Sequence, residues 1–240
     1  ELAGHNVAVT YCPLTGTALG FRRGPDEFGV SGRLVNSNLI MYDRGSESWW
    51  PQVLGTLVRG NDERFLGRRL GEFRVVWTTW NRWRTAYPGT DVLTEDTGEP
   101  YGYVTDPYGS YNPPRRYYKN RRLLFDVLHE DDRFHRKEVF IGARSRDGTV
   151  AFRKDRLREN HLLETTVGGV PYLAAYHHDL DSAWVYRNPD ERTVTARNGG
   201  YEGPDGREYA ADELPLESVT AFDAMWFAWA AFYPNTEVVA

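Results

Sequence analysis

Apolar positions in the first forty residues come in short runs of strand formers separated by turn chemistry. Residues 7–11, 18–21, 28–34 and 39–42 are such runs, with Arg23-Gly24-Pro25-Asp26 and Asn36-Ser37-Asn38 between them, and the pattern predicts β-hairpins. Further on the period lengthens. Trp80, Trp83 and Tyr87 fall at i, i+3 and i+7, one face of a helix that Thr78 or Thr79 can cap and Pro88 ends. In the last third the pattern predicts a strand over 139–143, a hairpin turn at Arg146-Asp147-Gly148-Thr149, a short helix over 155–163 and a strand over 170–176. The most apolar run, 222–233, reads as a buried helix.

Two stretches share a pattern. Residues 75–92 and 221–238 both fit Trp-x-x-Trp-x-x-x-Tyr-Pro-x-Thr-acid-Val, so Trp226, Trp229 and Tyr233 repeat the face of Trp80, Trp83 and Tyr87. Upstream, 11–22 can be laid over 176–187, which pairs Ala18 with Ala183, Phe21 with Tyr186 and Cys12 with His177. The expected fold is therefore α+β and β-rich. It consists of two pseudo-repeated units of antiparallel strands, each ending in a Trp-bearing helix, fused into one body. The units span 1–93 and 139–240, with a Tyr/Pro-rich crossover over 94–138 between them. Seven aromatic residues within 94–132 mark an ordered crossover rather than a flexible linker. Residues 139–166 have no counterpart ahead of Val7. The first strand should thus lack cover, to be supplied by a preceding segment or by a neighbouring molecule, and a homo-oligomer is one way to meet that need.

At 240 residues with 40% apolar positions the chain can bury a sizeable core. The balance of 29 basic and 34 acidic residues argues against non-specific nucleic-acid binding; only Arg115-Arg116 to Arg121-Arg122 forms a basic block. No apolar stretch approaches the length of a membrane span. No phosphate loop, His-Glu-x-x-His, paired-cysteine zinc spacing or Gly-x-Ser-x-Gly elbow occurs.

The single cysteine lies in Thr10-Tyr11-Cys12-Pro13-Leu14-Thr15-Gly16-Thr17. It cannot form an internal disulfide, so it is a packed core atom, a link to another chain, a metal ligand or a nucleophile. Thr15 and Thr17 are the nearest donors for a thiolate. Asp43 and Arg44 close a hairpin, either as a structural ion pair or as the polar lining of a pocket beside Cys12. His177, with Met41, is the candidate partner of Cys12 in a soft-metal set. Trp49-Trp50 and the tyrosines from Tyr101 to Tyr118, among them Tyr108 and Tyr111, are candidates for an exposed ligand-facing surface.

The cysteine run, followed by Phe28-Gly29-Val30-Ser31-Gly32-Arg33-Leu34, Asn36-Ser37-Asn38-Leu39-Ile40-Met41-Tyr42-Asp43-Arg44, Ser48-Trp49, Thr78-Thr79-Trp80, Tyr87-Pro88-Gly89-Thr90 and Asp106-Pro107-Tyr108-Gly109-Ser110-Tyr111, resembles the family catalogued as domain of unknown function 3179. The resemblance spans nearly the whole chain. It implies archaeal or bacterial, extracytoplasmic or cell-surface proteins, some with selenocysteine in the cysteine motif at the place of Cys12. Many members read Cys-Pro-Leu-Cys; Thr15 here removes a two-thiol centre. The leading expectation is an exported protein with a Cys12-centred redox or soft-metal site, copper first, supported by Thr15, Thr17, Asp43 and Arg44. The alternative is a non-catalytic cell-surface protein whose Tyr/Trp-rich loops hold a glycan or another protein subunit.

Overall fold

The computed structural model describes residues 2, 4–96, 98 and 106–240, and in it strand outweighs helix, 40% against 10%. Strands β1 (Val7–Cys12) and β2 (Thr17–Arg22) form a hairpin in which Val7 faces Arg22 and Cys12 faces Thr17. β3 (Phe28–Val35) and β4 (Asn38–Asp43) are joined through Asn36 and Ser37. Both turn residues have positive φ, 50° and 59°, as a two-residue hairpin turn of the primed type requires. β5 (Trp49–Pro51) pairs with β4, and β6 (Gly71–Phe73) pairs with β2. The predicted first helix is α1 (Trp80–Ala86); Thr79 caps it, its hydroxyl accepting from Arg82 N at 3.4 Å.

The crossover carries one small hairpin, β7 (Gly109–Tyr111) with β8 (Pro114–Arg116). After it come β9 (Val139–Arg144), β10 (Thr149–Arg153), α2 (Lys154–Asn160), β11 (Leu162–Val167), β12 (Val170–His177) and β13 (Ser182–Arg187). Three short strands follow, β14 (Thr195–Arg197), β15 (Gly200–Glu202) and β16 (Glu208–Tyr209). The chain then runs through β17 (Glu217–Val219), β18 (Ala221–Met225), α3 (Trp226–Phe232) and β19 (Glu237–Val239). In β12–β13, Tyr172 faces Arg187 and His177 faces Ser182; β17 pairs with β13 on the far side.

Three expectations need correction. The run 222–233 is not one helix: residues up to Met225 are strand β18, held by β9, and only Trp226 onward turns helical. The helix expected over 155–163 stops at Asn160, because His161 adopts φ +64° and turns the chain into β11. The strands do not make two all-antiparallel sheets. They divide among several small ones, and β19 lies parallel to β10, as a strand returning through a helix does.

The two ends of the chain share one core. Cys12, Leu14, Phe21, Met41 and Trp50 pack in the same cluster as Phe140, Phe222, Trp226 and Trp229. Met225 N donates to Thr15 O at 2.9 Å. Buried charge crosses the same seam: Arg144 pairs with Glu72. Arg74 donates to Ala221 O, Ser182 Oγ and Ala183 O at 2.8 Å each, with Trp184 against its face. Burial lowers the Arg74 pKa to about 10, against the pull of Asp223. A second cluster lies between β9–β10, α2 and β12–β13, and a third under β14–β16. No helix among the described residues is long and apolar enough to cross a membrane.

Candidate functional site

The turn from Cys12 to Thr17 is closed by Gly16 N donating to Cys12 O at 3.0 Å. This tight loop points its two threonines inward. Thr15 and Thr17 are fully buried and their hydroxyls lie 2.9 Å apart. Asn38 Nδ2 shares its two hydrogens among three acceptors, the two hydroxyls at 3.0 and 3.1 Å and Gln52 Oε1 at 2.8 Å; Thr17 also donates to Gln52 at 2.7 Å. Gln52 Nε2 in turn reaches Thr10 Oγ1 and Thr17 O. Four buried polar side chains thus satisfy one another, and a saturated network of this kind fixes the relative position of β1–β2, β4 and β5. Sequence reading missed Asn38 and Gln52. Asn38 stood in view as a turn residue, and nothing in the pattern marked Gln52 as buried.

Cys12 is sealed rather than presented. It is 2% exposed, and its Sγ lies 3.8 Å from Ser37 O. The threonine hydroxyls face Asn38 and Gln52, so they do not serve the thiol. Met41 is buried in the same apolar cluster. His177 lies at the end of β12, with Nε2 3.9 Å from Asp212 Oδ1 and its ring 5.5 Å from Trp184. No described contact joins it to Cys12 or Met41. Among the described residues no three His, Cys, Asp or Glu side chains are grouped to hold a metal.

The crossover tyrosines explain the sealing. Tyr117 donates to Leu14 O at 2.7 Å and Tyr111 to Pro13 O at 3.0 Å, so both clamp the cysteine turn from outside. Tyr11 and Tyr111 both set their rings edge-on to Trp77, and Tyr118 stacks on Tyr111. The expectation of an exposed aromatic surface fails for Tyr117 and Tyr118, which are buried, and for Tyr108 and Tyr111, which are half-buried. Tyr101 lies outside the described residues. Burial raises the pKa of the Tyr117 hydroxyl well above the ordinary tyrosine value.

Asp43 and Arg44 do not pair with each other. Asp43 is the last residue of β4 and Arg44 opens the turn after it, where it points outward to the Tyr42 hydroxyl (3.0 Å) and Glu27 (3.8 Å). Asp43 turns inward and accepts from Ser46 N at 2.6 Å, Ser46 Oγ at 2.7 Å and Trp50 Nε1 at 3.0 Å. Burial alone would raise its pKa, but the bonds from Trp50 and Ser46 outweigh it and hold the carboxyl below the usual range. The group stays ionised and anchors the Trp50 ring.

That ring is a wall of a cleft of about 370 Å³, with Phe28, Leu57, Phe65 and Leu70 as further apolar walls and Asp26, Asp43, Asn61 and Arg68 among its polar groups. The cleft is built wholly from residues between Gly24 and Leu70. Trp49, the other member of the pair, faces away and is flanked by the guanidinium groups of Arg33 (5.1 Å) and Arg59 (4.5 Å). A concave site with aromatic walls and a few polar groups is how proteins hold small ligands. Phe28, Asn61, Phe65 and Arg68 were not foreseen, since they converge only through the fold.

A family model described as "Protein of unknown function (DUF3179)" matches residues 1–236, and the chain belongs to that family. No curated protein and no solved structure matches the chain.

Proposed function

We propose that this protein is a non-catalytic binding protein of the cell surface, with a sugar or a sugar residue of a glycan as the ligand of the Phe28–Trp50–Phe65 cleft. The observation that carries this reading is the cleft's mixed lining, aromatic rings beside an ionised carboxylate, an amide and a guanidinium. A pyranose ring offers an apolar C–H face to such rings and hydroxyls to such polar groups. Calorimetric titration with a panel of mono- and oligosaccharides tests it. Phe65→Ala should weaken binding about tenfold, the worth of one aromatic contact, while Cys12→Ala leaves affinity unchanged. Absence of heat with every sugar tried, from a folded protein, overturns the reading.

A second reading keeps Cys12 as a redox or copper-binding centre. Its support is the packing of two soft sulfur groups, Cys12 and Met41, in one cluster; against it stands the sealed thiol, whose Sγ has Ser37 O as its described polar neighbour. Native-state thiol labelling decides, since reaction at the rate of an exposed cysteine would favour it.

We also propose that the chain is built from two copies of one unit. The supporting observations are registers. An offset of 165 carries β1–β2 onto β12–β13, taking the Val7–Arg22 pair to Tyr172–Arg187 and the Cys12–Thr17 pair to His177–Ser182. An offset of 146 carries β6 onto β17, each pairing with the second strand of its hairpin, and α1 onto α3. On this reading residues 24–70 are the first copy's insertion. The second copy has β14–β16 in that place, so the cleft lies where the copies differ most, as expected of function carried on variable loops.

A further inference from the structure

Side chains on one face of the β3–β4–β5 sheet stand in a row. Tyr42 faces Gly29 on one side and Trp49 on the other, and Trp49 forms an antiparallel bridge with Arg59. Residues directly opposed on neighbouring strands project to the same face, so Tyr42, Trp49 and Arg59 lie side by side. Gly29 makes room for the Tyr42 ring, since an added Cβ there would come within 2.6 Å of it. Arg33 reaches the row by another route. Between the Val30–Met41 and Leu34–Leu39 pairs, Ser31, Gly32 and Arg33 of β3 stand opposite Ile40 alone, and Gly32 has φ +73°. A bulge of this kind re-aims the side chains beside it. The Arg33 guanidinium comes to rest 5.1 Å from the centre of the Trp49 ring, and that of Arg59 at 4.5 Å.

Both arginines are exposed, and among the described residues neither guanidinium makes a hydrogen bond or an ion pair. Arg44, the next cation along the sheet, is taken by the Tyr42 hydroxyl and Glu27. The chain as a whole is acidic, with 29 basic against 34 acidic residues, so two uncompensated cations on one ring are a local concentration of charge rather than a consequence of composition. Stacking uses the flat face of a guanidinium. Its N–H donors stay free at the edge, in the fork that matches a carboxylate or a sulfate. A hollow of about 510 Å³ lies around them, with Ser31, Tyr42, Glu47 and Asn61 also in its lining. Glu47 is the one carboxylate there, and it pairs with neither arginine.

This hollow adjoins the Phe28–Trp50–Phe65 cleft. Successive residues of β5 face opposite ways, so Trp50 walls the cleft and Trp49 the hollow, and Asn61 lines both. Asn61 Nδ2 donates to Ser46 O at 3.1 Å. That bond fixes the amide where the two sites meet and leaves its carbonyl oxygen free to accept from a ligand hydroxyl. A glycan that seats one ring against Trp50 and continues past Asn61 brings its next residue to the two arginines. What the arginines lack is an oxyanion, and an acidic sugar carries one beside the hydroxyls and the apolar ring face that the cleft takes.

We propose that the Arg33–Trp49–Arg59 hollow binds the carboxylate or sulfate of an acidic glycan whose neighbouring sugar residue occupies the Trp50 cleft. The inference rests on the sugar reading of that cleft and adds the class of sugar. The test is calorimetric titration of the recombinant chain 1–240 with oligogalacturonate, its neutral methyl ester of equal length, and a heparin oligosaccharide. An acidic oligomer should bind about tenfold more tightly than the methyl ester, with an affinity that falls as salt is raised. Preference for oligogalacturonate assigns a carboxylate, and preference for heparin a sulfate. Arg33→Gln and Arg59→Gln should each remove most of that advantage and leave binding of the methyl ester unchanged, whereas Phe65→Ala weakens acidic and neutral oligomers alike. Equal affinity for acidic and neutral oligomers, or an advantage that survives both arginine variants, overturns this proposal alone and leaves the sugar reading standing. Polyglutamate or single-stranded DNA bound more tightly than any glycan through the same arginines overturns the glycan as occupant. No binding of any sugar, acidic or neutral, sinks both readings.

Discussion

α1 and α3 share a Trp-x-x-Trp pattern and a length but lie in different surroundings. Each is seven residues long, and each ends on a tyrosine in nearly the same conformation, φ −129° and ψ 73° at Tyr87 against φ −132° and ψ 68° at Tyr233. Yet α3 buries six of its residues while α1 buries none, and Trp80 is 52% exposed where Trp226 is wholly covered. Local shape therefore follows from the shared Trp-x-x-Trp pattern, and burial follows from what the rest of the chain brings alongside. For α3 that is β9, with Gly142 under Trp229, and the 131–138 stretch, where Trp226 Nε1 donates to Asp131 O at 3.0 Å.

The sharpest way to break this comparison is to truncate the two equivalent rings. Trp229→Ala empties a fully packed site and should cost about 4 kcal/mol of stability, whereas Trp83→Ala, at a half-buried ring, should cost about 1 kcal/mol. Urea unfolding of each variant in the recombinant chain 1–240 measures both. Equal costs would mean that Trp83 is as well covered as Trp229.

The next contrast is between aligned positions Trp77 and Asp223. Trp77 is packed by Tyr11 and Tyr111, whereas Asp223 forms a buried ion pair with Lys154 at 2.6 Å. Asp223 Oδ2 has no described partner, so this carboxylate depends on the lysine. Lys154→Met should destabilise by about 3 kcal/mol by leaving a buried charge unpaired, and adding Asp223→Leu should recover most of that loss. A single variant as stable as the parent, by thermal unfolding, would show that the charge escapes to water.

Much of this was legible in the chain. The hairpins, the turn at Asn36-Ser37, both tryptophan helices and the cap at Thr79 follow from period and turn chemistry, which are local. The start of α3 was not legible, because Phe222 to Met225 is as apolar as the helix after it and only pairing with β9 makes it a strand. The same limit governed the site. Cys12, Thr15, Thr17 and Asp43 stand out as polar or reactive groups in an apolar frame, but the partners of the two threonines, Asn38 and Gln52, lie more than twenty residues away, and only the fold brings Tyr117 over the cysteine turn. Asp43 and Arg44 are adjacent in the chain, but one ends β4 facing Ser46 and Trp50 and the other opens the turn facing Tyr42 and Glu27.

The crossover that covers the cysteine turn is itself held by a lysine, and pH reads it out. Lys137 is buried; it donates to Asn120 Oδ1 at 3.2 Å, to Arg122 O at 2.7 Å and to Tyr117 O, and no carboxylate is paired with it among the described residues. Burial lowers its pKa from 10.5 to about 8. Below pH 8 folded and unfolded chains both carry the proton. Between 8 and 10.5 the unfolded chain keeps a proton that the folded one has released, so this group makes stability rise with pH, by about 1 kcal/mol after solvent screening. From pH 10 upward Tyr176 opposes it: burial has raised its pKa to about 12, and the folded chain then holds the extra proton. Unfolding free energy measured from pH 7 to 10 should rise in the parent and lie flat in Lys137→Met.

The smallest effect sharpens the comparison from the side of the helix ends. α1 caps itself through the Thr79 hydroxyl; α3 starts at Met225 with no side-chain cap. The first amides of α3 instead donate to the chain across from it, Trp226 N to Glu138 O at 2.8 Å and Phe227 N to Arg136 O at 2.9 Å. A helix without tertiary cover must satisfy its own first turn, and one docked on the core can use its neighbours. Thr79→Ala should therefore cost about 0.5 kcal/mol and speed amide exchange at Arg82, whereas Met225→Ala should act only through lost packing and leave exchange at Trp226 and Phe227 unchanged. If Thr79→Ala leaves the exchange of Arg82 unaltered, the cap contributes nothing and α1 is being held by a neighbour after all.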